Sequence, residues 1–218
     1  MFQLNQVACA YEQKKVFTGL DLEIRQGQYV MLMGENGTGK SSLISLLTGF
    51  KQEESGRILF LGKEVREWLK DKRQKRDFYS RFGILFQDVD SQLFNSTQRV
   101  QDTLSLLKIE DLRDRVPYQL SGGEKKKVAF ASIMVTNPDV YILDEPFNNL
   151  SKEYEEFFRE LLHELHSAGK TIIMSAHHFK HLHHEKADVL LFEDGKADFF
   201  PAQEVLNNQQ VIERLSHY

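Results

Sequence analysis

The stretch QYVMLMGENGTGKSSLISLLTGF, residues 28–50, decides the fold. It opens with an apolar run of strand length that ends at Met33, and from Lys40 it continues as a predicted helix. Between them, GENGTGKS (34–41) matches the pattern G-x-x-x-x-G-K-[ST] in full. The pattern is specific when a strand precedes it and a helix follows it, and both are predicted here. The stretch therefore predicts a strand, a tight glycine-rich turn and a helix in immediate succession.

The residue types in this turn suit the binding of phosphate groups. Its glycines let the backbone turn tightly and approach an anion without an intervening side chain. Backbone N–H groups and the helix N-terminus then face the anion, Lys40 reaches the β- and γ-phosphates, and the Ser41 hydroxyl is placed for Mg²⁺. A chance glycine-rich turn is the weaker alternative in this context. The predicted cofactors are ATP and Mg²⁺, and the predicted ATP-binding residues are Gly34, Glu35, Asn36, Gly37, Thr38, Gly39, Lys40, Ser41 and Ser42.

A second apolar run, VYIL (140–143), ends in two carboxylates, Asp144 and Glu145. Burying adjacent charges is costly unless something offsets them. A phosphate loop of this kind needs a second strand that ends in an aspartate, which helps to hold Mg²⁺. We therefore predict that Asp144 supports Mg²⁺ together with Ser41, and that Glu145 orients or deprotonates the attacking water. A purely structural pair of carboxylates is the alternative, which the complete loop at 34–41 disfavours.

Further apolar runs of strand length alternate with helical patterns along the chain. The segment 151–170 is a predicted helix with Gly169 near its end as a stop signal. The alternation predicts an α/β fold with an open, mostly parallel sheet covered by helices on both faces. The first 27 residues and the segment 56–65 alternate like exposed strands, which predicts an antiparallel β layer beside that sheet. The further strand-like runs are FGILFQ (82–87), TIIMSAH (171–177) and DVLLFED (188–194).

Composition limits the classes of function. A chain of 218 residues with 41% hydrophobic residues is enough for one large domain, and a net charge of −4 disfavours a generally basic nucleic-acid binder. The single cysteine, Cys9, fits a reducing compartment. No segment has the pattern of a signal peptide, and none approaches the roughly 20 apolar residues of a membrane span. We therefore expect a soluble cytosolic chain that needs a partner for any role at a membrane.

LSGGEKKKVAFASIM (120–134) supplies a third motif. A Ser-Gly-Gly turn that opens a helix offers an N-terminus suited to an anion, which is a weak signal alone. Between a phosphate loop and a strand ending in Asp-Glu it is specific, and the combination resembles the ABC ATPases over nearly the whole chain. The resemblance implies a P-loop NTPase with a RecA-like sheet. It also implies a single ABC ATPase domain over residues 1–218, with a core of about 1–86 and 137–218 and a small helical subdomain of about 87–136.

The same resemblance assigns roles to further residues. Tyr11 lies where the family places an aromatic ring that stacks on adenine. Gln87 resembles the glutamine that senses Mg²⁺ and the membrane partner, which makes it a candidate catalytic residue and metal ligand. His177 resembles the switch histidine that contacts the γ-phosphate, and it joins Glu145 as a candidate catalytic residue. FQDVDSQLF (86–94) is similar to the equivalent stretch of cobalt-type and energy-coupling-factor importer ATPases.

The mechanism implied by the family is an ATP sandwich. Two subunits, as a homodimer or as a heterodimer with a second ABC ATPase, hold each ATP between the phosphate loop of one and the serine-glycine turn of the other. The predicted residues of that turn are Ser121, Gly122 and Gly123. Binding closes the dimer, hydrolysis lets it open, and the motion passes to integral membrane transporter subunits. The implied location is cytoplasmic, peripheral on the inner face of the cell membrane, and no nucleic acid is expected as a partner.

Two departures from the family pattern concern how the subunit communicates. Residues 88–119, between Gln87 and the serine-glycine turn, form a noticeably shorter segment than the family usually has, so the docking surface for membrane subunits is expected to be reduced or altered. Ser151 stands where members commonly have an aspartate that helps the two subunits sense each other's nucleotide. Serine is also a good helix N-cap before KEYEEFF, with Glu153 and Glu155 in the first turn. We expect the N-cap role to be retained and the acidic contact to be lost.

Two other functions stay open at this stage. The first is a soluble ABC ATPase acting on nucleic acid or ribosomes, for which the basic run within Lys63–Arg81 is a weak argument. We interpret that run as the solvated face of a helix, with Trp68 and Phe78 packing beneath it. The second is a regulatory cassette that contributes one poor site to a heterodimer. A metal site at His177 and His181, spaced i, i+4, is a minor alternative to a solvated helix.

Overall fold

The computed structural model describes residues 1–11, 14–86, 103–148, 150–176 and 187–217. The predictions made for Gln87, His177 and His181 lie outside these residues. Tyr11 lies inside them, as the last residue of the first strand.

The described residues form the following elements. The strands are β1 (Phe2–Tyr11), β2 (Lys14–Ile24), β3 (Tyr29–Met33), β4 (Ser55–Phe60), β5 (Lys63–Glu64), β6 (Phe82–Leu85), β7 (Val140–Leu143), β8 (Thr171–Ser175), β9 (Asp188–Glu193) and β10 (Lys196–Phe200). The helices are α1 (Lys40–Leu47), α2 (Val65–Trp68), α3 (Lys72–Ser80), α4 (103–106), α5 (Gly122–Val135), α6 (Lys152–Ser167), α7 (Ala202–Asn207) and α8 (Gln209–Leu215). Short 3₁₀ turns cover Glu110–Leu112 and Pro117–Gln119.

The larger sheet carries the site. In the described part of the chain its six strands run in the order β10-β9-β3-β8-β7-β6. Strand β3 pairs in parallel with both β8 and β9, and β7 pairs in parallel with β6 and β8. Only β10, at one edge, is antiparallel to its neighbour. The predicted mostly parallel sheet is confirmed. The edge strand was not predicted, because KADFF carries neither a long apolar run nor regular alternation.

Both faces of this sheet are buried, which explains the apolar runs. Along β3, Met31 and Met33 belong to one hydrophobic core, while Val30 and Leu32 belong to a second core on the other side. Helices α5 and α6 pack on the first face, and α1 packs on the second. Because alternate residues of a strand point to opposite faces, a strand buried on both faces has to be apolar throughout.

The smaller sheet is the predicted antiparallel layer. Among the described residues it has the strand order β2-β1-β4-β5, with β1 antiparallel to both β2 and β4. Its inward side chains, among them Phe2, Leu4 and Phe60, join the second core together with α1. This sheet therefore covers the helix that follows the phosphate loop and fixes its position.

The interpretation of Lys63–Arg81 as one helix is wrong. The residues Lys63 and Glu64 form β5, which pairs with the end of β4, and two separate helices, α2 and α3, follow. Leu61 and Gly62 both have positive φ, which makes a tight hairpin turn, and Asp71 caps α3 by accepting from the backbone N–H of Arg73 and Gln74.

Trp68 and Phe78 do pack beneath the segment, against Phe60. Its basic side chains at 66, 70, 72, 73, 75 and 76 are exposed, as predicted.

The described part of the segment before α5 packs against the first core, on the face of the larger sheet that α5 and α6 cover. Leu107, Ile109 and Leu112 are buried and share the hydrophobic cluster of α5 and α6. Within the described residues, no helix is both long enough and apolar enough to cross a membrane.

Candidate nucleotide-binding site

The phosphate loop, residues 34–41, joins the end of β3 to the start of α1 through three glycines with positive φ. At Gly34, with φ 133°, an added Cβ would lie 2.4 Å from the carbonyl oxygen of Phe192. At Gly39, with φ 126°, it would lie 2.7 Å from Cγ1 of Val16. Gly37, with φ 79°, has no heavy atom within 4 Å of its added Cβ. Two of these glycines are thus required by conformation and by space, and the third by conformation alone.

Lys40 is the first residue of α1 and its side chain folds over the loop. The residue is 5% exposed, and its Nζ donates to the carbonyl oxygens of Gly34, at 2.5 Å, and of Glu35, at 2.8 Å. Burial lowers the pKa of Lys40, and the nearby carboxylates of Glu145 and Asp144 act in the opposite direction. The lysine therefore braces the backbone of the loop from its inner side.

The loop opens into a cleft of about 650 Å³. Of the carboxylate pair Asp144 and Glu145, Glu145 lines this cleft, so the structure brings the loop and this carboxylate together as predicted. The strand ends explain why, since β3 and β7 both pair in parallel with β8 and the carboxyl ends of parallel strands meet at one edge of the sheet. The lining residues are Lys15, Val16, Asn36, Gly37, Thr38, Gly39, Lys40, Ser41, Ser42, Glu145, Asp194 and Gly195.

Asp144 follows β7 and is tied to the neighbouring strand. Its Oδ1 accepts a hydrogen bond of 2.6 Å from the hydroxyl of Ser175, the last residue of β8. The same hydroxyl oxygen accepts a hydrogen bond of 2.9 Å from the backbone N–H of Glu145. All three residues are buried. Ser175 therefore fixes both carboxylate residues relative to the sheet, a role that sequence reasoning missed.

Glu145 belongs to a loop, residues 144–148, that is here called the Glu145 loop. The residue has φ 50°, which is uncommon for a residue with a side chain, and it is 7% exposed. Its carboxylate accepts a hydrogen bond from the side-chain amide of Asn148. The Nζ of Lys126, on α5, donates to the carbonyl oxygens of Glu145, at 2.8 Å, and of Asn148, at 2.9 Å. The conformation is thus held from two sides, by β8 and by α5.

Lys126 is itself unusual, because it is a lysine that is only 5% exposed. Burial lowers its pKa to about 8, while the charges of Glu145 and Asp144 favour the ammonium form. A buried ammonium is costly unless it is hydrogen-bonded, and the two carbonyl oxygens meet that need. The sequence offered one signal for it: Lys126 precedes the buried Ala129 and Phe130 by three and four residues, so it falls on the inner face of the helix.

The serine-glycine turn opens α5 as predicted. Ser121 is the N-cap, and its hydroxyl accepts from the backbone N–H of Glu124 at 3.3 Å. The Glu124 carboxylate accepts in return from the backbone N–H of Ser121 at 2.8 Å, which completes a capping box. These hydrogen bonds lower the pKa of the Glu124 carboxyl. Ser121 and Gly122 are exposed, so this end of the helix lies at the surface rather than in the cleft of its own chain.

Ser151 caps α6, and its hydroxyl accepts from the backbone N–H of Tyr154 at 3.3 Å. Glu153 and Glu155 lie in the first turn of that helix, as predicted. Gly169, with φ 83°, follows the end of α6, which confirms it as a stop signal.

Known proteins resemble this chain in sequence. The family model described as "ABC transporter" matches residues 17–148. The chain is 37% identical to the nickel import ATP-binding protein LarO of Lactiplantibacillus plantarum, covering 83% of each chain. It is 32% identical to the energy-coupling factor transporter ATP-binding protein EcfA2 of Methanospirillum hungatei, covering 98% of this chain and 58% of the relative.

Solved structures share the fold. The structure of CbiO1 from Clostridium perfringens, part of the ABC transporter complex CbiONQ, superposes with a TM-score of 0.79 at 28% identity, covering 98% of this chain and 93% of that one. A dimeric ATP-binding cassette in a post-hydrolysis state, bound to ADP and Pi, superposes with a TM-score of 0.82 at 21% identity, covering 93% of this chain and 99% of that one. The predicted fold class is confirmed.

Proposed function

The chain belongs to the ABC transporter family, and we propose that it binds MgATP between the phosphate loop and the Glu145 loop and cleaves it there. It is an ABC ATPase and an ATP-binding subunit that powers transport through separate membrane subunits. These two sequence predictions are confirmed. We further propose the roles of individual residues, a bound Mg²⁺, the direction of transport and a location at the membrane.

The phosphate groups are proposed to lie on the phosphate loop. The positive φ values of its glycines support this, since they open the backbone toward the anion at the N-terminus of α1. Lys40 now donates to the carbonyl oxygens of Gly34 and Glu35. In the ATP complex we expect its ammonium group to turn toward the β- and γ-phosphates.

The residues present also fit Mg²⁺. Ser41 lines the cleft with a hydroxyl, and Asp144, which directly follows β7, carries a carboxylate; both offer oxygen ligands of the kind that Mg²⁺ prefers. The Ser175 hydroxyl supports this role by orienting Asp144 through its Oδ1. When bound, the metal neutralises charge on the phosphate oxygens. Gln87 is proposed as a further ligand on the family resemblance alone.

Glu145 is proposed as the residue that orients the attacking water and accepts its proton. Its place in the lining of the cleft, across from the phosphate loop, is the observation that carries the proposed function. Its backbone N–H and its carbonyl oxygen are both hydrogen-bonded, and its carboxylate accepts from the Asn148 amide, so the residue is positioned before substrate arrives. Preorganisation of this kind suits phosphoryl transfer, in which positioning and electrostatics provide most of the catalysis.

The second face of the nucleotide is proposed to come from a partner subunit. Ser121 and Gly122 are exposed at the surface end of α5, where a second chain can reach them. Family members pair as dimers, and we propose that the turn Ser121–Gly123 of one subunit closes over the ATP of the other. Tyr11 at the adenine and His177 at the γ-phosphate complete the proposed set.

The transport role is proposed to be import, at the inner face of the cell membrane. The relatives named for nickel import and for energy-coupling factor transport, and the cobalt import ATP-binding protein CbiO of Rhodobacter capsulatus at 36% identity, support this direction. The division into a core of about 1–86 and 137–218 and a helical subdomain of about 87–136 stays a prediction.

A Glu145→Gln variant tests the proposed site. It keeps the size of the side chain and its hydrogen bond with Asn148 but cannot accept a proton. We expect phosphate release with MgATP to fall by about 10³-fold, and light scattering to show an ATP-dependent dimer that persists. A Glu160→Gln variant, which makes the same chemical change on the exposed face of α6, is the control and keeps its turnover. Unchanged hydrolysis in Glu145→Gln would remove Glu145 from the catalytic role.

A further inference from the structure

A single side chain, Lys126, joins the serine-glycine turn to the Glu145 loop within one chain. In the family mechanism, these two motifs act on different ATP molecules of the dimer. The turn Ser121–Gly123 begins α5, and Lys126 lies one turn further along the same helix. Its Nζ donates to the carbonyl oxygens of Glu145 and Asn148, which lie 19 and 22 residues away in sequence. The helix that opens with the serine-glycine turn is therefore attached directly to the backbone of the loop that carries Glu145.

The attachment is buried and its hydrogen bonds are well formed. Lys126 is 5% exposed, so water has little access to the ammonium group, and its two bonds of 2.8 and 2.9 Å are of normal length. The next residue, Lys127, places its Nζ 3.8 Å from the ring centroid of Tyr154, which links α5 to α6, the helix that follows the same loop. Because burying a charge costs free energy, the two hydrogen bonds of Lys126 are better explained by the geometry they impose than by added stability.

The loop needs such an attachment. Glu145 has a positive φ, a conformation that costs free energy in a residue with a side chain and persists only where the surroundings hold it. On one side the Ser175 hydroxyl accepts from the Glu145 backbone N–H. On the other side the Lys126 ammonium donates to the Glu145 carbonyl oxygen, so the peptide groups before and after this residue are both restrained.

We propose that Lys126 is a positioning residue that sets the place of the Glu145 carboxylate and passes displacements of α5 to it. The inference rests on the proposed catalytic role of Glu145. Because the start of α5 is proposed to contact the nucleotide of the partner subunit, the lysine gives a direct route from the partner's site to the catalytic carboxylate of its own site. This route does not require an acidic residue at position 151, where this chain has serine.

The test compares steady-state ATP hydrolysis and ATP affinity in matched variants of the full chain. Lys126→Met keeps most of the length of the side chain and removes both hydrogen bonds, and Lys126→Arg restores a cation that can donate to two carbonyl oxygens. Lys125→Met removes the same charge one residue away, from a side chain that is less buried, and serves as control. A fluorescent ATP analogue measures the Kd, and thermal unfolding reports the integrity of the fold.

We expect Lys126→Met to lower kcat by about 10²-fold, because displacement of a catalytic group by about 1 Å costs that much. The Kd for the analogue stays within about twofold of the wild type, because the phosphate loop is untouched. Lys126→Arg recovers a large part of kcat, and Lys125→Met behaves as the wild type. This split between kcat and Kd, with rescue by arginine, is what a merely structural lysine would not produce.

The other outcomes overturn the inference in distinguishable ways. Wild-type kcat in Lys126→Met beside an inactive Glu145→Gln refutes the role of Lys126 and leaves that of Glu145 standing. Activity retained in Glu145→Gln refutes the proposed catalytic role, and the inference falls with it. Equal losses in Lys125→Met and Lys126→Met, or parallel losses of kcat, analogue binding and thermal stability in Lys126→Met, would make the effect one of general charge or folding.

Discussion

The phosphate loop and the Glu145 loop lie on the same cleft, but their conformations have different causes. The phosphate loop is specified by its own sequence, because three glycines adopt positive φ and Lys40 braces the carbonyl oxygens of the same loop. The Glu145 loop contains a positive φ without a glycine, and it is held by Ser175 from β8 and by Lys126 from α5.

This difference matches the two proposed roles, which are nucleotide binding for the phosphate loop and catalysis for the Glu145 loop. A loop specified locally keeps its shape whatever the rest of the protein does, which suits the capture of phosphate groups. A loop held by distant elements changes when those elements move, which suits a carboxylate whose activity has to respond to a partner. Substitutions in the two loops should therefore fail in different ways: the first in nucleotide affinity, the second in turnover.

The largest effect is expected from Lys40→Met. The substitution removes the cation that is proposed to meet the β- and γ-phosphates, and we expect the affinity for ATP to fall by about 10²- to 10³-fold, in line with the loss of one charged donor. Isothermal titration calorimetry with MgATP measures it. Without nucleotide the unfolding temperature should change little, since burial already disfavours this ammonium group. Affinity equal to that of the wild type would contradict the assignment of the phosphate site.

Gly34→Ala should be the most damaging small change in the phosphate loop. The added Cβ meets a backbone carbonyl oxygen at 2.4 Å and requires a positive φ, so we expect a loss of about 3 kcal/mol in the free energy of unfolding. Gly37→Ala is the matched control, with an open position and positive φ, and should lose about 1 kcal/mol. Urea denaturation followed by circular dichroism compares them. Equal losses in both variants would show that space at Gly34 is not limiting.

Ser175→Ala should act on the Glu145 loop from the side opposite to Lys126. It leaves the buried backbone N–H of Glu145 without its hydroxyl acceptor, and we expect a cost of about 1–3 kcal/mol in unfolding free energy. Turnover should fall by about tenfold or more while ATP affinity is retained, because only the carboxylates are displaced. Ser175→Thr keeps the hydroxyl and controls for its loss. Normal turnover in Ser175→Ala would show that β8 does not position the two carboxylates.

The smallest effect is expected from Ser151→Ala. Loss of the hydroxyl that accepts from the Tyr154 N–H should lower the unfolding free energy by about 1 kcal/mol, the usual value for an N-cap. Ser151→Asp keeps a capping oxygen and should retain that stability. Turnover of Ser151→Ala should match the wild type, since the hydroxyl of this serine bonds the first turn of α6, outside the Glu145 loop. A large loss of turnover would give Ser151 a role beyond the cap.

Local patterns predicted much of this molecule. The phosphate loop, the strand before Asp144 and Glu145, and the N-cap at Ser151 each depend on residues adjacent in sequence, and all three are found where the sequence placed them. The basic residues of Lys63–Arg81 suggested one helix. The two-residue hairpin turn at Leu61 and Gly62 and the division into β5, α2 and α3 were therefore not predicted.

The supports of the Glu145 loop could not be predicted in the same way. Ser175 becomes a partner of Asp144 only because β7 and β8 are neighbours in the sheet, which the order of strands in sequence does not fix. Lys126 stands in a run of three lysines that resembles an exposed surface, and its burial follows from the packing of α5 on the sheet. Contacts between distant segments hold the proposed catalytic residues in place, and a local sequence pattern does not encode such contacts.

Hydrogen–deuterium exchange on Lys126→Met, compared with the wild type, tests the central claim most directly. The claim is that the Glu145 loop is held by α5, whereas the phosphate loop holds itself. We predict faster exchange at the amides of Glu145, Phe147 and Asn148, since Pro146 has no backbone N–H, with unchanged exchange at residues 34–41. Unchanged exchange at 145–148, or an equal increase at both loops, would contradict it.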